Sequence, residues 1–139
     1  WGAAWVDGYR WTVVLVQLDD GRDLMAFHMT DRQGRFVHAY AGEHRADGGT
    51  RHLPPAAVRL EPQGPMLRSH GRTFRPGTRL RLAAWGVDLT LQPWRLDQHK
   101  RTGRRAQAFP DWWEGACAVE GVVEGAPVSG RAFVEISGG

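Results

Sequence analysis

The chain has 139 residues, 42% hydrophobic and 24% charged, with Lys+Arg 18 against Asp+Glu 15 and a net charge of +3. That suits one domain with a core of its own. No apolar run approaches the ~20 residues of a membrane-spanning helix, and one cysteine, Cys117, excludes an internal disulfide framework and any multi-cysteine metal site.

The cations are arginines except for Lys100, and they are scattered, so no nucleic-acid surface is read from them. The one dense cluster, Lys100, Arg101, Arg104 and Arg105, lies in a Gly-containing stretch and reads as a solvated loop. The chain starts at Trp1, within what reads as structured sequence, and shows no signal peptide. We read this as an N-terminal portion lying outside the chain.

Eighteen glycines and eight prolines cut the sequence into pieces too short for most helices. The apolar residues alternate or run for five to eight positions, which is strand patterning. The clearest unit runs from Trp11 to Thr30: a β-branched segment to Leu18, an Asp19-Asp20-Gly21-Arg22 turn, and a return from Asp23 to Met29. Val14, Val16 and Leu18 share a face on the first strand; Leu24, Ala26 and His28 share one on the second. Whether those faces coincide depends on a two- or three-residue turn, since a one-residue slip exchanges them.

Further strands are expected at Arg35–Tyr40 and Val58–Leu60, with weaker signals at Met66–Ser69 and Phe74. Thr78–Ala83 follows, with Leu80 and Leu82 inward and Arg79 and Arg81 outward. Then come Val87–Gln92, Trp112–Gly121 and Arg131–Ile136, the last after a Gly125–Gly130 connection. Eight to ten short strands with tight turns predict an all-β antiparallel barrel or sandwich.

Three stretches carry a family resemblance. The first is Trp11 with Gln17-Leu-Asp-Asp-Gly-Arg-Asp-Leu-Met25. The second is Gly86-Val-Asp-Leu-Thr-Leu-Gln-Pro-Trp94 with Asp97-Gln98. The third is Trp113-Glu-Gly-Ala116 through Gly121, then Pro127 through Gly138. In order and spacing they resemble the C-terminal half of the AttH-like and carotenoid 1,2-hydratase family of lipocalin-like proteins. Trp1-Gly2 is similar to the end of that family's His-x-Trp-Gly motif.

The resemblance implies a lipocalin-like β-barrel over 1–139, one half of a two-barrel protein whose N-terminal companion is on the same or another chain. It implies a bacterial protein, periplasmic, secreted or membrane-peripheral. The family includes carotenoid hydratases, relatives that shape polyketide cycloadditions, and proteins labelled predicted secreted hydrolases. A cofactor-free hydratase, lyase or cyclase acting on a hydrophobic isoprenoid or polyketide substrate is thus one expectation. A non-catalytic carrier of a lipid or other apolar small molecule is the alternative.

Hydrating an isoprenoid double bond needs an acid to protonate the alkene, walls that stabilise a tertiary cation, and a positioned water. It requires no metal or organic cofactor. Seven tryptophans could supply the walls; Trp1, Trp11, Trp94 and Trp113 lie in the family-like motifs and are the substrate-binding candidates. Glu114, between Trp113 and Gly115, is either an acid raised by aromatic surroundings or a strand-end hydrogen bonder. His28, on an apolar strand, is either a proton shuttle or structural.

The hydratase branch implies a carboxylic acid reaching the cavity from this barrel, and His28 is not one. Gln17 could bind ligand or end a strand. The six histidines show no HExxH or paired-ligand spacing, so no metal site is read. Ser69, Ser129 and Ser137 lack a nucleophile elbow, and Cys117 lies among apolar residues, where burial makes a thiol inert.

Overall fold

The computed structural model describes residues 8–101 and 111–137. These are almost entirely strand. The order is β1 (Tyr9–Leu18), β2 (Asp23–Asp31), β3 (Phe36–His44), β4 (Thr50–Leu53), β5 (Arg59–Gln63), β6 (Leu67–Ser69) and β7 (Arg72–Phe74). It continues with β8 (Gly77–Leu82), β9 (Val87–Pro93), β10 (His99–Lys100), β11 (Trp112–Val123) and β12 (Ala126–Ser137). Every pairing is antiparallel, and the main sheet runs β4-β3-β2-β1-β12-β11-β9-β8-β5, with β10 added on β11. The sheet curls into a half-barrel. Its end strands, β4 and β5, are joined by Pro54 and a 3₁₀ turn at Pro55–Ala57.

The first hairpin settles the turn length left open by the sequence. Leu18 N–H donates to the Arg22 carbonyl, and Gly21, with φ of 85°, completes a three-residue loop. Val16 therefore faces Leu24, Val14 faces Ala26 and Thr12 faces His28. The face carrying Val14, Val16, Leu18, Leu24 and Ala26 is the buried one, and His28 shares it.

The alternation read at Thr78–Ala83 holds, with Leu80 and Leu82 fully buried. On β11 the inward residues are Trp113, Cys117 and Val119. The expected Gly125–Gly130 connection is instead mostly strand. β11 and β12 join through the two residues Glu124 and Gly125, both at positive φ (54° and 83°), as a type I′ turn requires. Pro127 fits inside β12 because β1 pairs with that strand only from Gly130 onward, leaving one side of it free. β4 and β10 carry no periodic signal and were not expected.

The interior has two unlike ends. At one, Glu43 on β3 is buried and accepts hydrogen bonds from Arg51 (3.0 Å) and Arg45 (2.9 Å). Arg51 lies 4.6 Å over the Trp85 ring and 3.5 Å from Glu124. These charges plug that end. The middle is filled by Val, Leu, Ala and Cys117, whose thiol burial pushes up to about 12. The other end is not filled.

Candidate functional site

At the unplugged end the side chains leave a cavity of about 230 Å³. β1 brings Trp11 and Thr12 to it, β2 brings His28 and Thr30, and β8 brings Thr78. Ile136 and Ser137 come from β12, and Phe74 from the β6–β7 hairpin. The wall is thus mixed: Leu60, Pro62, Phe74 and Ile136 give it apolar surface, while four threonines, Ser137, the His28 imidazole and two arginines, Arg10 and Arg75, line it as well. Ser137 Oγ accepts from the Trp11 backbone N–H at 2.8 Å, while the Trp11 indole N–H donates to Glu135 at 2.7 Å. Burial, and then the nearby Arg59, lower the His28 pKa below its ordinary value. The imidazole is therefore neutral at pH 7, able to accept a proton or aim a water. Its ring lies 5.8 Å from that of Phe36.

The expected site residues divide between places. Trp11 borders this cavity, but its indole is bonded to Glu135 on the outer face of the sheet; His28 faces the cavity. Trp113 is fully buried beside it, its indole N–H held by the Leu96 carbonyl at 2.6 Å. Glu114 has the opposite strand parity: it accepts from the Trp112 indole at 2.8 Å and pairs with Lys100 at 3.8 Å, outside the cavity. Gln17 and Trp94 border a different feature, described next. Trp1 lies outside the described residues, as do Arg104 and Arg105. The Thr12, Thr78 and Ser137 hydroxyls and Phe74 were not anticipated; the parity of Thr12 with Val14 and Val16, and of Thr78 with Leu80 and Leu82, was the available signal.

The second feature is a groove of about 730 Å³ on the outer face. One row of paired positions crosses the sheet there: His52, Gly42, Met25, Leu15, Phe133 and Ala116. Leu15, Met25 and Phe133 are 40–45% exposed, and Trp94 at the rim is 64% exposed. Gly42 and Ala116 make the row's low points, since neither has bulk. Gln17 lies one step along the strands, accepting from Arg131 at 3.1 Å. The outer face of β5, β8 and β9 is unlike this. There Arg79 holds Asp88 by two 2.7 Å bonds, and Arg81 faces Glu61 at 3.6 Å. One half of the outside is charged, the other apolar, and contiguous apolar surface marks a covered or binding face.

Among the described residues no three His, Cys, Asp or Glu side chains are grouped to hold a metal ion. Among them, too, no helix is long and apolar enough to cross a membrane.

An antiparallel sheet rolled about an apolar interior, with a small cavity at one end, defines a lipocalin-like β-domain. The chain belongs to the AttH-like family, whose model matches residues 1–139. It is similar to a crystallised AttH candidate from Nitrosomonas europaea, at 29% identity and a TM-score of 0.76 over 92% of this chain and 38% of that one. It also shares the fold of kievitone hydratase from Nectria haematococca, at 22% identity and a TM-score of 0.75 over 93% and 39% of the two chains. The chain thus spans about two-fifths of the length of these solved proteins. Comparison with the curated proteins finds no match.

Proposed function

We propose that this domain is the lipocalin-like part of a cofactor-free hydratase- or lyase-like protein, and that its cavity takes a hydrophobic unsaturated substrate of isoprenoid or polyketide type. The observation that carries the reading is a neutral imidazole, His28, on the wall of a small cavity that also carries the apolar side chains of Leu60, Phe74 and Ile136. In hydration, a proton adds to one alkene carbon and leaves a tertiary cation on the other. Phe74 presents aromatic surface to such a cation. A water held by His28 and the neighbouring hydroxyls attacks the cation, and its surplus proton passes to the imidazole, from which it returns to the acid that protonated the alkene. The net change is alkene plus water to tertiary alcohol.

The acid is a separate matter, because the cavity wall carries no carboxylate among the described residues. Glu114 could serve only a site completed outside this wall. The apolar row around Leu15, Met25 and Phe133 suits the docking of a companion barrel, which could bring further groups. The missing carboxylate is also what favours the second reading, a carrier that binds an apolar metabolite without chemistry.

Titration of a polyene against tryptophan fluorescence, with product analysis, tests both readings. His28→Ala is expected to lower turnover by about 10²-fold or more while binding changes little. Glu114→Gln tests the outer carboxylate in the same assay. Turnover untouched by either change would refute the site. Tight binding with no product across isoprenoid and polyketide substrates would establish the carrier.

A further inference from the structure

The cavity that holds His28 is also lined by two guanidiniums, Arg10 and Arg75, and by five hydroxyls. Two rungs of the β1–β2 ladder supply one side of it: Arg10 pairs with Thr30, and Thr12 with His28. Arg10 and Thr12 have the strand parity of Val14 and Val16, which turns them to the inner face. Arg75 comes from the other side, directly after Phe74 at the end of β7. Phe74 packs in the core, and Pro76 and Gly77 are buried, so the backbone on both sides of Arg75 is fixed.

The positive charge is not matched. Among the described residues neither the Arg10 nor the Arg75 side chain has a hydrogen bond or an ion pair. Arg59 adds a third charge close by: its Nη1 donates to the Ala56 and Val58 carbonyls, both at 2.9 Å, and its charge adds to the burial that lowers the His28 pKa. The carboxylates near in sequence are turned away. Asp31, Glu61 and Glu135 each stand one step from a cavity residue, and strand alternation puts each on the opposite face. There Asp31 is held by Arg35, Glu61 faces Arg81 at 3.6 Å, and Glu135 takes the Trp11 indole at 2.7 Å. A recess with charge of one sign and no counter-charge attracts the opposite one. Guanidiniums fit oxyanions bidentately, and hydroxyls donate to them as well. Ser137 Oγ accepts from the Trp11 backbone N–H, which leaves its own proton to donate.

We propose that this cavity is an anion subsite, in which Arg10 and Arg75 hold the carboxylate or phosphate head of a ligand at the mouth while Leu60, Phe74 and Ile136 take its apolar end. A ligand without charge gains nothing from the two guanidiniums. At about 230 Å³ the cavity is larger than the ~150 Å³ that holds benzene, so the apolar part it takes is short, about ten carbons. That this part is an unsaturated chain rests on the function proposed above; the anionic head does not.

Calorimetric titration with geraniol, geranic acid and geranyl phosphate holds the chain constant and changes the head. At low salt the better of the two anions is expected to bind about tenfold or more tighter than geraniol, and the advantage should shrink as NaCl is raised. Which anion binds tighter names the head. Arg10→Gln and Arg75→Gln should each weaken that anion about three- to tenfold. They should leave geraniol binding and Tm unchanged, since neither guanidinium has a partner to lose. Arg95→Gln removes an exposed arginine that does not line the cavity and should change nothing. Geraniol binding as tightly as both anions, or anion affinity indifferent to Arg10→Gln and Arg75→Gln, would overturn the subsite. An equal loss in Arg95→Gln would overturn it too, by showing general charge attraction only. Millimolar inorganic phosphate, read by amide NMR shifts at Thr12 and Thr30, separates the two readings. Phosphate binding that needs both arginines, with none of the geranyl compounds bound, would support the subsite and count against the proposed ligand class. No binding of any of the four would overturn the subsite.

Discussion

Replacing Glu43 by Gln keeps its shape and removes its charge from the plugged end. The Glu43 side chain is wholly buried, and its partners Arg51 and Arg45 are 26% and 43% exposed. Breaking a fully buried pair costs about 3–5 kcal/mol. Here Arg51 keeps Glu124 at 3.5 Å and the Trp85 face, and Arg45 can turn to water, so about 2–3 kcal/mol is expected. For a chain of this length that is a fall in Tm of roughly 6–10 °C, read by circular dichroism. Arg51→Met should cost a similar amount, and the double variant about 1–2 kcal/mol less than the sum.

Acid supplies a second readout. Burial pushes the Glu43 pKa up, but Arg51 and Arg45 outweigh it and hold the carboxyl below its ordinary value. A depressed carboxyl contributes stability above its unfolded pKa, about 4.3, and loses it as pH falls through the folded value. Glu43→Gln should therefore flatten the decline below about pH 4.3. A loss under about 0.5 kcal/mol, additive with Arg51→Met, would refute the reasoning.

Two other expectations are direct. The folded pKa of His28 is lowered by burial and Arg59, so the unfolded chain takes up that proton first. Stability should decline as pH falls below about 6.5, and urea titrations of His28→Gln across that range should show a shallower slope. A Cβ on Gly130 would sit 2.2 Å from the Gln17 carbonyl oxygen and 2.9 Å from the Leu18 Cα, both backbone atoms that cannot swing aside. Gly130→Ala should destabilise by about 1–3 kcal/mol or more in urea unfolding; an unchanged midpoint would show that the two strands can separate freely there.

The wall of the barrel was legible because period-two patterning is local. Val14–Leu18, Thr78–Leu82 and Trp113–Val119 each declare their buried face without knowing their neighbours. The site was less so, because it depends on which segments meet. His28 could be placed on a face of β2, but only the Gly21 loop decided that this face is the inner one. Phe74 reads as a faint strand signal until its hairpin is seen against the mouth. Glu43 reads as a surface charge until β4 brings Arg51 beside it. Trp94 and Gln17 carry family-like motifs yet border the outer groove, since sequence cannot distinguish the two apolar faces of one sheet.

The sealed thiol of Cys117 makes the molecule its own clock. At 0% exposure and with its ionisation suppressed, it can react with a thiol dye only after the β11 region has come apart. Because the chain carries no second cysteine, the rate of dye uptake under native conditions reports how often the heart of the barrel breathes, without any engineered label.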